Sequence, residues 1–251
     1  AAPWWRAARA ELLATLGERD AAYVYHLDTV TAAARSVAAL ASVARAWYAM
    51  KANAHPEVLR RVHAAGLGLE CVSRGEIEQA RSAVPDIEPG RLLYTPNFAS
   101  RDEYAWALTT GAQLTIDSLY PLQHWADLFR GRDLHVRIDS GTGRGHHEHV
   151  RTAGAHAKFG VPVDEFAELV RLAHAAGARI TGLHAHPGSG VFDVDSWRHT
   201  ARLLAGLAGR LDGVRSINVG GGLGVPERSE RPVLDLARLD AVLGEVRREF
   251  P

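Results

Sequence analysis

The chain has 251 residues, 47% hydrophobic and 23% charged, enough for one large α/β barrel or two small domains with a sizeable core. Lys plus Arg equals Asp plus Glu at 29 each, so there is no basic excess for nucleic acid and no net charge to draw the chain to a membrane. Cys71 is the sole cysteine, which rules out a disulfide within the chain and points to a reducing cytoplasm; no stretch approaches the ~18 apolar residues of a spanning helix, and Ala1-Ala2-Pro3-Trp4-Trp5-Arg6 lacks the apolar core of a signal peptide.

Residues 1–40 predict a helix, a short strand at Tyr23-Val24-Tyr25 and a second helix, ahead of a barrel domain over 41–251. From there short apolar runs alternate with amphipathic, Ala/Leu/Arg-rich stretches. The runs cover 45–49, 68–72, 91–94, 113–116, 134–138, 180–183 and 216–219, and helical patterns fill the intervals. Continuous apolar strands separated by helices of about 10–15 residues are the sequence form of βαβ units. A (β/α)8 barrel closes on eight strands, and the eighth would follow the helical stretch 236–249. The chain therefore reads as part of a longer polypeptide.

Working residues of such barrels sit at the carboxyl ends of strands. That rule selects Lys51 after the first strand, Glu70 on the second and Arg137 on the fifth. It also selects His184 to Gly190 after the sixth and Gly220-Gly221-Gly222 after the seventh. A buried lysine amine is pushed toward its neutral, nucleophilic form, which attacks aldehydes; the plainer alternative for Lys51 is a side chain reaching solvent. Gly188-Ser189-Gly190 and the triple glycine suit phosphate oxygens, although a glycine run also serves a tight turn. His184 and His186, two apart, would share a strand face and suit a metal, with further ligands from His146-His147-Glu148-His149. A solvated loop is the preferred reading of that cluster, and no metal is expected.

Together these segments resemble the fold-type III pyridoxal-phosphate decarboxylases, with alanine racemase as a more distant relative. Tyr48-Ala49-Met50-Lys51-Ala52-Asn53 is similar to the family's Schiff-base segment. Leu69-Glu70-Cys71-Val72-Ser73-Arg74-Gly75-Glu76, Lys158-Phe159-Gly160, His186-Pro187-Gly188-Ser189 and Gly220-Gly221-Gly222 follow in the family's order. The resemblance implies an α/β fold of TIM-barrel type binding pyridoxal 5'-phosphate, cut before strand eight and lacking the family's C-terminal β-domain. It implies that Lys51 holds the cofactor as a Schiff base and that His186 stacks on its ring. Ser189 and the amides of Gly220, Gly221 and Gly222 would hold the phosphate. Arg137 would join the polar network, as would Glu70, which stands where the family commonly has aspartate. Tyr23-Val24-Tyr25 would pair with the absent β-domain.

The segment 145–154 resembles diaminopimelate decarboxylases, particularly the form fused to an aspartate kinase. The implied reaction takes meso-2,6-diaminopimelate to L-lysine and carbon dioxide, in a homodimer of the full-length protein. Decarboxylation of ornithine, arginine or carboxynorspermidine, racemisation, and a non-catalytic cofactor carrier are the alternatives. The family's eighth strand carries a Glu-Pro-Gly-Arg motif whose glutamate bonds the pyridine nitrogen. Glu88-Pro89-Gly90-Arg91 spells it before strand three, in the wrong place, and reads as a turn. Cys71, on strand two, reads as a core residue rather than the family's catalytic cysteine.

Overall fold

A computed structural model of the chain describes residues 3–141, 158–226 and 233–250. The seven expected strands form: β1 (Trp47–Ala49), β2 (Gly68–Cys71), β3 (Leu92–Tyr94), β4 (Gln113–Ile116), β5 (Asp133–Asp139), β6 (Arg179–His184) and β7 (Ser216–Asn218). They pair in parallel and in chain order into a curled sheet backed by helices, the architecture of a TIM-type barrel with β1 and β7 as its two ends. A two-residue strip, Val161–Pro162, adds to β5 beyond the expected set.

Local chemistry starts and stops the helices. Ser73 and Ser100 accept the amides of Glu76 and Glu103, capping Arg74–Ala83 and Arg101–Ala107 just after β2 and β3. Pro56 opens Pro56–Ala64, and Gly177, in the left-handed region at φ 68°, ends Phe166–Ala176. The main core lies between sheet and helices and includes Leu59, Leu69, Ile77, Leu92 and Leu134, all at 0% exposure. A second cluster around Trp197 seals Asp195–Ala208 against Leu236–Glu249. That last helix reaches back to the start of the sheet. The Asp240 carboxylate accepts the amides of Ala41 at 3.1 Å and Ser42 at 2.8 Å, and the Ser42 hydroxyl donates to the Asp240 carbonyl at 2.9 Å.

Tyr23-Val24-Tyr25 has no ladder partner among the described residues, and Tyr23 is 92% exposed; the neighbour expected for it is the family's C-terminal β-domain. One expectation changes. β5 is not a continuous apolar run, because Leu134, Val136 and Ile138 are buried on the helix side while His135, Arg137 and Asp139 alternate on the other.

Candidate functional site

Strand register decides which side chains face the concave side. Ala49 pairs with Glu70, Glu70 with Leu93, and Leu93 with Gln113. Thr115 pairs with His135, Arg137 with His184, and His184 with Asn218. Residues two apart share a face, so Glu70, Thr95, Asp117, Arg137, His184 and Asn218 converge at the carboxyl ends of their strands. Lys51 follows β1 on a single 3-10 turn, Met50–Ala52, and is exposed there. Of the two readings of Lys51, a buried amine and a side chain reaching solvent, its exposure matches the second, because β1 stops at Ala49 and the turn carries Lys51 to the mouth.

Position sets charge. Burial pushes the Glu70 carboxyl up, opposed by Lys51, then by a hydrogen bond with the Thr95 side chain and by Arg137. Burial also raises Asp117, which is 6% exposed, with Arg137 opposing. The Arg137 guanidinium is lowered by burial and supported by Asp117, Glu70 and Asp139. Burial holds His184 well below its usual range; His186 falls to about 4 by burial, with Arg137 and then Lys51 acting in the same direction. Both imidazoles are thus neutral near pH 7. The Gly221 N–H donates to His186 Nδ1 at 3.4 Å, which leaves the ring proton on Nε2.

The loops after β6 and β7 are laced together. The Val191 N–H donates to the Gly222 carbonyl and the Gly224 N–H to the Val191 carbonyl, each at 2.8 Å. The glycines make this approach possible. A Cβ on Gly220 (φ 73°) would stand 2.7 Å from the Ala185 oxygen, and one on Gly222 (φ 78°) 1.8 Å from the Gly188 oxygen. Gly221 alone faces open space. The Gly220 amide is already donated to Asn218 Oδ1 at 2.9 Å. Packing between loops therefore accounts for two of the three glycines, and the open face belongs to the third. Ser189 is exposed beside this cradle.

Sequence reasoning passed over Thr95, Asn97 and Asp117. They end strands three and four, and the strand-end rule applied there would have found them. Asn97 Oδ1 and His184 Nδ1 are buried without a hydrogen-bond partner among the described residues. Orphaned polar atoms at the mouth of a parallel sheet mark a place where a polar ligand completes the bonding.

The family model for the pyridoxal-binding domain of pyridoxal-dependent decarboxylases matches residues 27–251. The chain belongs to this family. A diaminopimelate decarboxylase of Methanothermobacter thermautotrophicus is 37% identical over 196 residues, 76% of this chain and 45% of that protein. One from Deinococcus radiodurans is 32% identical over 200 residues, 80% and 52% of the two chains. The chain thus spans about half the length of these curated relatives. The crystal structure of the Helicobacter pylori diaminopimelate decarboxylase complexed with L-lysine superimposes with a TM-score of 0.84 at 24% identity, over 96% of this chain and 63% of that one; it shows the shared fold.

Two other sequence candidates lie apart from this cluster. Pro89–Arg91 is an outlying 3-10 turn before β3, with Glu88 exposed. Cys71 is buried, its thiol 3.4 Å from the Met50 sulfur and pushed up to about 12 by burial. No group of three His, Cys, Asp or Glu suited to a metal exists among the described residues. His146-His147-Glu148-His149 and the segment 145–154 lie outside them. No described helix is long and apolar enough to cross a membrane.

Proposed function

We propose that this chain is the cofactor-holding part of an enzyme that decarboxylates meso-2,6-diaminopimelate to L-lysine and carbon dioxide. The observation that carries it is the convergence of an accessible Lys51, a neutral His186 and an open Gly221 face beside two orphaned polar atoms. These residues fit pyridoxal 5'-phosphate. Lys51 is placed to bind its aldehyde, and the flat, uncharged His186 ring to lie against the pyridine without charge repulsion. Ser189 and the glycine loop Gly220-Gly221-Gly222 would hold the phosphate, with the open face at Gly221. Arg137 and Glu70 supply opposite charges that orient polar groups at the mouth, with Asp117 behind Arg137. When bound, the cofactor supplies the electron sink for the pair released as the α-carboxylate leaves.

The substrate assignment is supported by the two relatives named diaminopimelate decarboxylase above 30% identity. A homodimer working in the cytoplasm belongs to the same reading, as do a barrel unit over 41–251 and a separate leading segment over 1–40. The test is an absorbance spectrum of the purified protein with pyridoxal phosphate beside Lys51→Ala, followed by addition of meso-diaminopimelate and assay of lysine and carbon dioxide. The expected result is a Lys51-dependent band and product formation by the full-length protein. A band without lysine from the full-length protein would overturn the substrate assignment, and no band would overturn the cofactor roles.

A further inference from the structure

Lys158-Phe159-Gly160 has no task in the reading above. The Gly160 N–H donates to the Asp117 carbonyl at 2.9 Å. Gly160 has φ 93°, and a Cβ there would stand 2.6 Å from the Asp139 nitrogen, so only glycine lets the chain lie this close to the end of β5. The Phe159 ring is thereby set over Arg137, whose guanidinium carbon is 5.0 Å from the ring centroid. Next to it stands Phe98, with ring centroids 6.1 Å apart and planes tilted by 41°.

Phe98 is unusual on two counts. At φ 58° it is the only non-glycine with positive φ among the described residues. It is also 78% exposed, so burial does not return what the left-handed backbone costs. It directly follows Asn97, whose buried Oδ1 is one of the orphaned atoms at the mouth. One ring is held by a cation and the other by a strained backbone, both just outboard of the polar cluster.

We propose that Phe98 and Phe159 form an apolar rim that takes the methylene chain of the amino-acid substrate, which makes them specificity-determining residues. This rests on the decarboxylase reading above. A long-chain amino acid carries charges at both ends and methylenes between them. The rim offers the methylenes a contact surface while the reacting end occupies the cluster around Lys51. The Phe98 ring, 78% exposed in this chain, gains cover when such a methylene chain lies on it. The strain at Phe98 then has a use, since it aims the ring toward Phe159.

The test is a titration of the pyridoxal-phosphate-loaded protein with L-lysine and with L-alanine, followed by cofactor absorbance, in the unsubstituted protein and in Phe98→Gly. Thermal melting of both proteins accompanies it. Phe98→Gly is expected to weaken L-lysine about tenfold, the scale of a lost methylene contact in an apolar site, and to leave L-alanine unchanged. Its melting temperature should hold or rise, because glycine accepts the positive φ. Equal weakening of both ligands with a lower melting temperature would make Phe98 structural and overturn the rim, as would unchanged L-lysine affinity. Absence of a Lys51-dependent band in the unsubstituted protein would overturn the cofactor reading and the rim with it. A band with an unmoved lysine-to-alanine ratio would overturn the rim alone.

Discussion

Gly221→Ala and Gly222→Ala are neighbouring changes of the same kind with opposite expected consequences. At 222 the added methyl must occupy a left-handed backbone at φ 78° and would lie 1.8 Å from the Gly188 carbonyl oxygen. The conformation alone costs about 1–2 kcal/mol. Backbone cannot step aside cheaply, so the loops must part, and the two 2.8 Å bonds that join them through Val191 weaken or break. Each is worth about 1 kcal/mol, bringing the expected loss to about 3–4 kcal/mol, or on the order of 10 °C in melting temperature for a chain of this size. At 221 nothing lies within 4 Å of the added methyl. Stability should there change by less than about 1 kcal/mol, with reduced freedom of the unfolded chain acting in its favour. The methyl would nonetheless stand in the space proposed for phosphate, so Gly221→Ala should weaken pyridoxal phosphate while melting normally. Urea and thermal melts by circular dichroism, with a cofactor titration, read all of this. Equal melting of the two variants would refute the account of the glycine loop as a packed joint with one open face.

Stability should fall as pH drops from about 6.5 toward 4. His135 and His186 sit at about 4 and His184 well below its usual value, all chiefly through burial, so the unfolded chain binds more protons across that window. The contribution is fully present above about 6.5; Glu70 and Asp117, raised by burial, act with the opposite sign and blunt the lower end. Urea midpoints measured across this range check it, and a midpoint that rises on acidification would contradict it. Cys71, at 0% exposure with its thiol pushed to about 12, should react with a thiol reagent only as fast as the protein unfolds. Rapid labelling in native buffer would show that the core at β2 opens locally. Tyr94→Phe removes the 2.5 Å bond from the Tyr94 hydroxyl to Glu103, which keeps the Arg74 amide at 3.0 Å. A loss of about 1–2 kcal/mol in a denaturant melt is expected, and an unchanged melt would mean that water replaces the hydroxyl without cost.

The fold was legible because its signal is periodic. Short apolar runs separated by helical stretches name the strands, although β5, read as an apolar run, in fact alternates Leu134, Val136 and Ile138 with His135, Arg137 and Asp139 on its two faces. Tyr23-Val24-Tyr25 lies at the edge of that signal. Its composition suits a strand, but a strand is completed by a neighbour, here the expected β-domain, that composition cannot supply. The site divides along the same line. Lys51, His186 and the glycine loop stand out because each occupies a recognisable string. Thr95, Asn97 and Asp117 are ordinary residues in ordinary strings, and only register places Asp117 beside Arg137 on the next strand. The roles of Gly220 and Gly222 were hidden for a stronger reason. What forbids a side chain there is the carbonyl of Ala185 or Gly188, more than thirty residues earlier in the chain. A residue's own string can suggest a ligand, whereas the constraint that makes it irreplaceable comes from whatever the fold sets against it. Phe98 shows both halves at once. Nothing in Thr95-Pro96-Asn97-Phe98 announces a positive φ, yet that φ, together with a ring from a distant motif, is what makes the residue worth testing.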